Sequence, residues 1–405
     1  MTYEEYKKMN LHIDLSRGKP CKEQLDISMS LLDNNEYLSS DGTDCRNYGL
    51  LDGIIEAKKL FSEIFDCQTD EVFVGGNSSL NLLYSILEIA IIKGFRESDE
   101  PLFNQKKKIL CPCPGYDRHF KIAEYLGFEL IPIKLNENGP DMDMIEKLVS
   151  EDESIKGIFC VPVYSNPDGI VYSNETVLRF ARLKPKAKDF KIFWDNAYML
   201  HHFTDEEIVI LNLLNEAKKY GNENMVYMFF STSKITFPGA GISAVASSKG
   251  NIQYLKENLI TSRICYDKLN QLRHVKFLKN LDNIKEIMKK HAKIIKPKFD
   301  IVFNILEKNF GKGNEYIRWT KPKGGYFISL YLKKGVAKKV VQKCKDLGVI
   351  LTDAGAAFPY GVDKDDTHIR FAPTYASLDE IKIATEILCE VVKNECYRSV
   401  SGISY

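Results

Sequence analysis

Through the first two-thirds of the chain, short apolar and β-branched runs alternate with longer stretches of helical period. Segments 71–74, 108–111, 129–133, 157–163, 191–194 and 225–230 read as strands, because they are brief, apolar and bounded by turn-forming residues. Segments 79–93, 117–126, 141–149 and 174–183 carry the helical spacing. Strands that alternate with helices in this way predict an α/β sandwich around a mainly parallel sheet.

The pattern changes after about residue 285. A helix-compatible stretch runs to Lys293 and is followed by Pro297. Strands are then expected over 326–332, 349–351 and 368–371, with helices over 336–347 and 378–393. This describes a smaller α+β unit. The first forty residues are polar and irregular, and are expected to pack against it.

Composition narrows the class of protein. The chain has 405 residues, 44% hydrophobic and 27% charged, with a formal net charge of +1. That length allows two buried cores, and so small a net charge favours neither nucleic acid nor an anionic membrane as partner. The greasiest run, Leu80 to Ile92, is interrupted by Asn81, Ser85 and Glu88 and is too short for a membrane span. The N-terminus lacks the basic-then-apolar pattern of a signal peptide, so ten cysteines are expected as reduced thiols in a cytoplasm. Cys111 and Cys113 form a Cys-x-Cys pair with no second pair at zinc spacing, so no metal is expected. Lys106, Lys107 and Lys108 read as solvated surface.

Four short sequences fall where predicted strands end, which is where ligands sit in an open α/β sheet. They are Gly75-Gly76-Asn77-Ser78-Ser79, Tyr164-Ser165-Asn166-Pro167-Asp168-Gly169, Asp195-Asn196-Ala197-Tyr198 and Ser231-Thr232-Ser233-Lys234. Each has a bland reading: a capped helix, a turn, a helix cap or structural ion pair, a surface lysine. Together they supply what a pyridine-aldehyde cofactor needs. Lys234 follows a very apolar strand, where partial desolvation favours the neutral, nucleophilic amine. Asp195 suits a protonated ring nitrogen, which makes the ring an electron sink. The Asn166 amide and Tyr198 hydroxyl offer donors to a phenolic oxygen. Gly76, Asn77 and Ser78, opening a helix, suit a phosphate, with Ser231 and Ser233 adding hydroxyls.

In this order the motifs resemble fold-type I pyridoxal 5′-phosphate (PLP) aminotransferases of class I/II over nearly the whole chain. The resemblance is carried by Asn166-Pro-x-Gly, Asp195-x-x-Tyr198 and Ser-x-Ser-Lys234. Lys323-Gly324-Gly325-Tyr326-Phe327 and His368-Ile369-Arg370-Phe371-Ala372 add to it. The chain is most similar to the divergent bacterial aspartate aminotransferases related to MocR aminotransferase domains. The resemblance implies a large PLP domain over 46–285, with a mainly parallel seven-stranded sheet in an α/β/α sandwich. It also implies a small α+β domain over 286–405 and an N-terminal segment, 1–45, packed on the latter.

The same resemblance makes Lys234 the Schiff-base lysine and proton shuttle, Asp195 the partner of the ring nitrogen, and Asn166 and Tyr198 the partners of the phenolic oxygen. Tyr116 is implied to stack on the ring and Arg370 to grip the substrate α-carboxylate, with Asn166 beside it. Tyr48 is implied to reach the neighbouring subunit's phosphate in a homodimer with shared active sites. The implied reaction is ping-pong transamination between an amino acid and a 2-oxo acid, foremost aspartate with 2-oxoglutarate. Arg17 is the leading candidate for a distal carboxylate, with Arg46, Arg118 and Arg263 as others.

The chain departs from the family at one point. Where most relatives place a phosphate-binding arginine, seven or eight residues beyond the lysine, it has Gly241 and Ile242. A PLP-dependent lyase would use the same groups. A non-catalytic PLP-binding sensor domain is disfavoured, because nothing before residue 40 has room for a helix-turn-helix.

Overall fold

The computed structural model describes residues 3–204, 207–311 and 314–401, without the side chains of the last five. In chain order the strands are β1 (Ile13–Asp14), β2 (Val72–Val74), β3 (Lys108–Cys113), β4 (Glu129–Asn136), β5 (Gly139–Pro140), β6 (Ile155–Cys160) and β7 (Lys191–Asp195). They continue with β8 (Val226–Ser231), β9 (Ser243–Ser247), β10 (Ile317–Trp319), β11 (Ile328–Leu332), β12 (Val349–Ile350) and β13 (His368–Phe371).

The large sheet has the order β2-β9-β8-β7-β6-β3-β4-β5. Its central pairings are parallel, while β9 runs against both neighbours and the two-residue β5 folds back on β4. Every residue of β6, β7 and β8 is buried, as expected when helices cover both faces of a sheet. Successive side chains go to opposite faces. Ile158, Ile192, Met228 and Phe230 enter one core, and Phe159, Phe193, Tyr227 and Phe229 enter the other.

Strand β9, Ser243-Ala-Val-Ala-Ser247, was not expected from the pattern. Its small residues carry little strand signal, yet its side chains are buried between β2 and β8. Strand β10 was likewise unexpected.

A third core surrounds the antiparallel sheet β10-β11-β13 and the Leu378–Ser401 helix. One helix, Leu281–Phe310, runs unbroken through the boundary expected at 285 and through Pro297. An internal proline costs roughly 3 kcal/mol. Burial of Ile287, Met288, Ile295, Phe299 and Val302 on both sides of it opposes that cost. The N-terminal stretch is more ordered than its polarity suggested: β1 pairs in parallel with β12, and short helices span Tyr3–Lys8 and Lys22–Asp26. Among the described residues no helix is long and apolar enough to cross a membrane.

Candidate active site

Strands β3, β6, β7 and β8 run in one direction. Because β2 is antiparallel to β9 and β9 to β8, β2 runs that way too. The segments that follow these strands therefore emerge side by side at one sheet edge. They enclose a cavity of about 230 Å³ lined by Lys234, Asp195, Tyr198, Asn166 and Tyr116. Ser78, Ser79, Ser231 and Ser233 bring hydroxyls to the same space. Larger cavities exist in the molecule, and chemistry rather than size singles this one out.

Lys234 is half-buried, with Nζ 4.8 Å from the centre of the Tyr198 ring. Burial pushes its amine below the ordinary lysine range, and the Asp195 carboxylate partly opposes that shift. Asp195 is only 6% exposed at the end of β7. Its Oδ2 lies 3.2 Å from His119 Nε2, and its Oδ1 accepts the Ala197 N–H at 3.1 Å. His119 is held by a stacked Phe159 ring at 5.0 Å and an edge-on Tyr116 ring at 4.8 Å. No sequence motif pointed to His119. The signal available was its position three residues after Tyr116, one helical turn along the helix Asp117–Tyr125.

Tyr116 immediately precedes that helix, and Gly115 makes the turn into it possible. A Cβ at Gly115 would lie 2.4 Å from the Pro112 carbonyl oxygen and 2.6 Å from the Phe120 ring. Burial raises the Tyr116 hydroxyl to about 12, with help from Asp195 and Asp117. It raises the Tyr198 hydroxyl well above its usual value, so both remain protonated donors at neutral pH.

At the other end of the cavity, Ser78 caps the Ser79–Lys93 helix, its Oγ accepting the Leu80 N–H at 3.2 Å. The loop ahead of the cap is tied down by hydroxyls. Ser243 Oγ donates to the Gly76 carbonyl at 2.8 Å, and Ser233 Oγ to the Asn77 carbonyl at 3.0 Å. Ser231 Oγ donates to Ser233 Oγ at 3.1 Å. Gly76 and Asn77 thus shape the loop without lining the cavity.

Arg370, 7% exposed, comes from β13 of the small sheet. Its Nη1 donates to Asn166 Oδ1 at 3.4 Å and to Asp117 Oδ1 at 2.7 Å, and its Nε to Thr352 Oγ1 at 3.2 Å. Thr352 Oγ1 in turn donates to the Ser16 carbonyl at 2.6 Å, which sets the segment bearing Arg17 beside Arg370. Arg17 itself is exposed. Of the other arginines considered, Arg46 is paired with Asp44, Arg118 is exposed, and Arg263 stands 5.9 Å over the Tyr266 ring, against which Gly76 packs. Tyr48 is 77% exposed and lies outside the cavity of its own chain. No group of three or more His, Cys, Asp or Glu among the described residues is arranged to hold a metal.

The aspartate amino-transferase family model matches residues 1–402. The chain belongs to that family. An aspartate aminotransferase of Corynebacterium glutamicum is 37% identical over 390 residues, covering 95% of this chain and 89% of that protein. An aminotransferase-like protein of Mycolicibacterium smegmatis is 42% identical over 390 residues, covering 95% and 91%. The solved structure of an aminotransferase-like protein from Corynebacterium diphtheriae superposes with a TM-score of 0.95 at 39% identity, over 98% of each chain.

This aminotransferase is therefore an enzyme of the fold that works with PLP. The residues present fit that cofactor: an amine depressed by burial, a buried carboxylate, protonated hydroxyl donors, and a helix start rich in hydroxyls. Of the two positions where the resemblance implies an arginine, Gly241 and Ile242, the second is buried at 2% exposure, and no arginine lines the cavity among the described residues.

Proposed function

We propose that this aminotransferase exchanges the amino group between aspartate and 2-oxoglutarate, in two half-reactions at the Lys234 cavity. Bound PLP supplies an aldehyde and a protonated ring that draws electrons from the substrate α-carbon. Lys234 holds the cofactor covalently at rest and carries the proton at Nζ during each half-reaction, a task suited to an amine of lowered basicity. Asp195, fixed by His119 and the Ala197 N–H, keeps the ring nitrogen protonated. Asn166 spends its Oδ1 on Arg370, which leaves its Nδ2 as a donor to the phenolic oxygen alongside Tyr198. Tyr116 covers the ring face. Ser78, Ser231, Ser233 and the amides of the Ser79–Lys93 helix hold the phosphate. Arg370 binds the α-carboxylate through its planar fork.

The observation that carries this reading is the shared cavity of Lys234 and Asp195. Aspartate as donor is supported by the Corynebacterium glutamicum aspartate aminotransferase, and Arg17, next to the Ser16 carbonyl that Thr352 binds, is the residue we assign to the distal carboxylate. The exposed Tyr48 suits a contact with the neighbouring subunit in a homodimer. Free cysteines among the described residues suit a reducing cytoplasm. The test is a set of half-reaction spectra with a panel of amino acids. Rapid bleaching of the cofactor band by aspartate, restored by 2-oxoglutarate, is expected. A band that aspartate leaves intact while another amino acid bleaches it would overturn the substrate assignment.

A further inference from the structure

Arg370 already has a carboxylate. Its Nη1 donates to Asp117 Oδ1 at 2.7 Å, and Asp117 is the first residue of the helix that follows Tyr116. The side chain of Arg370 is 7% exposed and that of Asp117 26%, so the ion pair is shielded but opens toward solvent on the Asp117 side. The remaining contacts of the guanidinium are neutral: Asn166 Oδ1 on Nη1, Thr352 Oγ1 on Nε, and the Phe327 ring at 5.3 Å. Thr352 and Phe327 hold the guanidinium without charge, whereas Asp117 contributes its one ion pair among the described residues.

A buried guanidinium with one carboxylate attached is electrically neutral as a pair. A second carboxylate must either displace the first or share the fork with it, and two like charges at one cation repel. We propose that Asp117 is a built-in competitor of the substrate carboxylate at Arg370, occupying the fork between turnovers and setting how tightly carboxylates bind. This inference rests on the reading of Arg370 as the α-carboxylate site. It predicts an effect opposite in sign to that of a structural prop. If Asp117 merely oriented Arg370, its removal would loosen the arginine and weaken ligand binding; if it competes, removal strengthens binding. Reciprocity of coupling free energies requires the second result whenever the two carboxylates exclude one another.

The experiment is calorimetric titration of the holoenzyme with propionate and with succinate, carboxylates that have no amino group to transfer. Wild type is compared with Asp117→Asn, Asp117→Ser and Arg370→Ala, and each variant is checked for a native thermal transition. Both neutral Asp117 variants are expected to bind both probes more tightly, on the order of tenfold. Combining Arg370→Ala with Asp117→Asn is expected to erase that gain. Equal or weaker binding in Asp117→Asn and Asp117→Ser, with Arg370→Ala still weakened, overturns the competitor role and leaves the carboxylate site standing. Wild-type affinity in Arg370→Ala overturns both. Should Asp117→Asn fail to fold, Asp117→Ser decides the sign.

Discussion

The two ends of β7 carry buried charge in opposite states. At its amino end, Lys191 is 1% exposed, pairs with Glu97 and donates to the Asn224 carbonyl at 2.8 Å. Beside it, Lys156 meets Asp189 at 3.0 and 3.3 Å. Every ammonium there has a carboxylate. At the carboxyl end, Asp195 faces a histidine rather than a lysine, and the Lys234 amine stands over the Tyr198 ring without a carboxylate in salt-bridge contact among the described residues. Burial lowers both amines; at Lys191 a carboxylate in direct contact, Glu97, opposes that shift, whereas at Lys234 only the Asp195 charge does so, without a salt-bridge contact. A charge in direct contact with its counter-ion holds the fold together; an amine with no carboxylate in contact is better suited to act as a nucleophile.

The largest effect that separates the two ends is on chemistry. Lys234→Ala should cut transamination by about 10⁴-fold or more in single-turnover assays, with little change in melting temperature. A loss of only a few-fold would remove this amine from the chemistry. Next, Asp195→Asn should lower kcat by about 10²-fold or more while its thermal transition persists. Asp189→Asn, at the other end, should reduce stability and spare kcat in the folded fraction. An equal kcat loss in the two variants would erase the contrast.

Lys156→Met should destabilise the chain by about 3 kcal/mol in urea unfolding, because Asp189 loses its ion pair while buried and keeps the Ser98 hydroxyl as donor. A change within error would mean that pair is exposed to solvent in the folded protein. The smallest effect concerns pH. The folded-state value of Lys234 lies below its unfolded one, so the unfolded chain binds more protons between them and stability rises with pH across that window. In cofactor-free protein, the stability gained by Lys234→Met should therefore shrink as pH is raised from neutrality toward the ordinary lysine range. A gain that grew with pH would show a charged, stabilised amine.

Most of the cavity was legible because its residues sit at strand ends, where sequence position alone implies convergence. Lys234, Asp195, Asn166, Tyr198 and the serines meet there. His119 and Asp117 were not legible, because each acts on a partner from another element, and helical position alone names neither partner. Strand β9 was missed because its residues are too small to signal a strand, although burial between β2 and β8 makes it one. Pro297 pointed to the end of a helix that tertiary packing carries through it. What could not be read from the chain was in each case decided by a neighbour distant in sequence.

Borohydride reduction of the PLP-loaded enzyme, followed by peptide mapping of the modified residue, bears most directly on the central claim. The account predicts that the cofactor is fixed to Nζ of Lys234 in a single peptide. Label on any other lysine, or none at all, would contradict it.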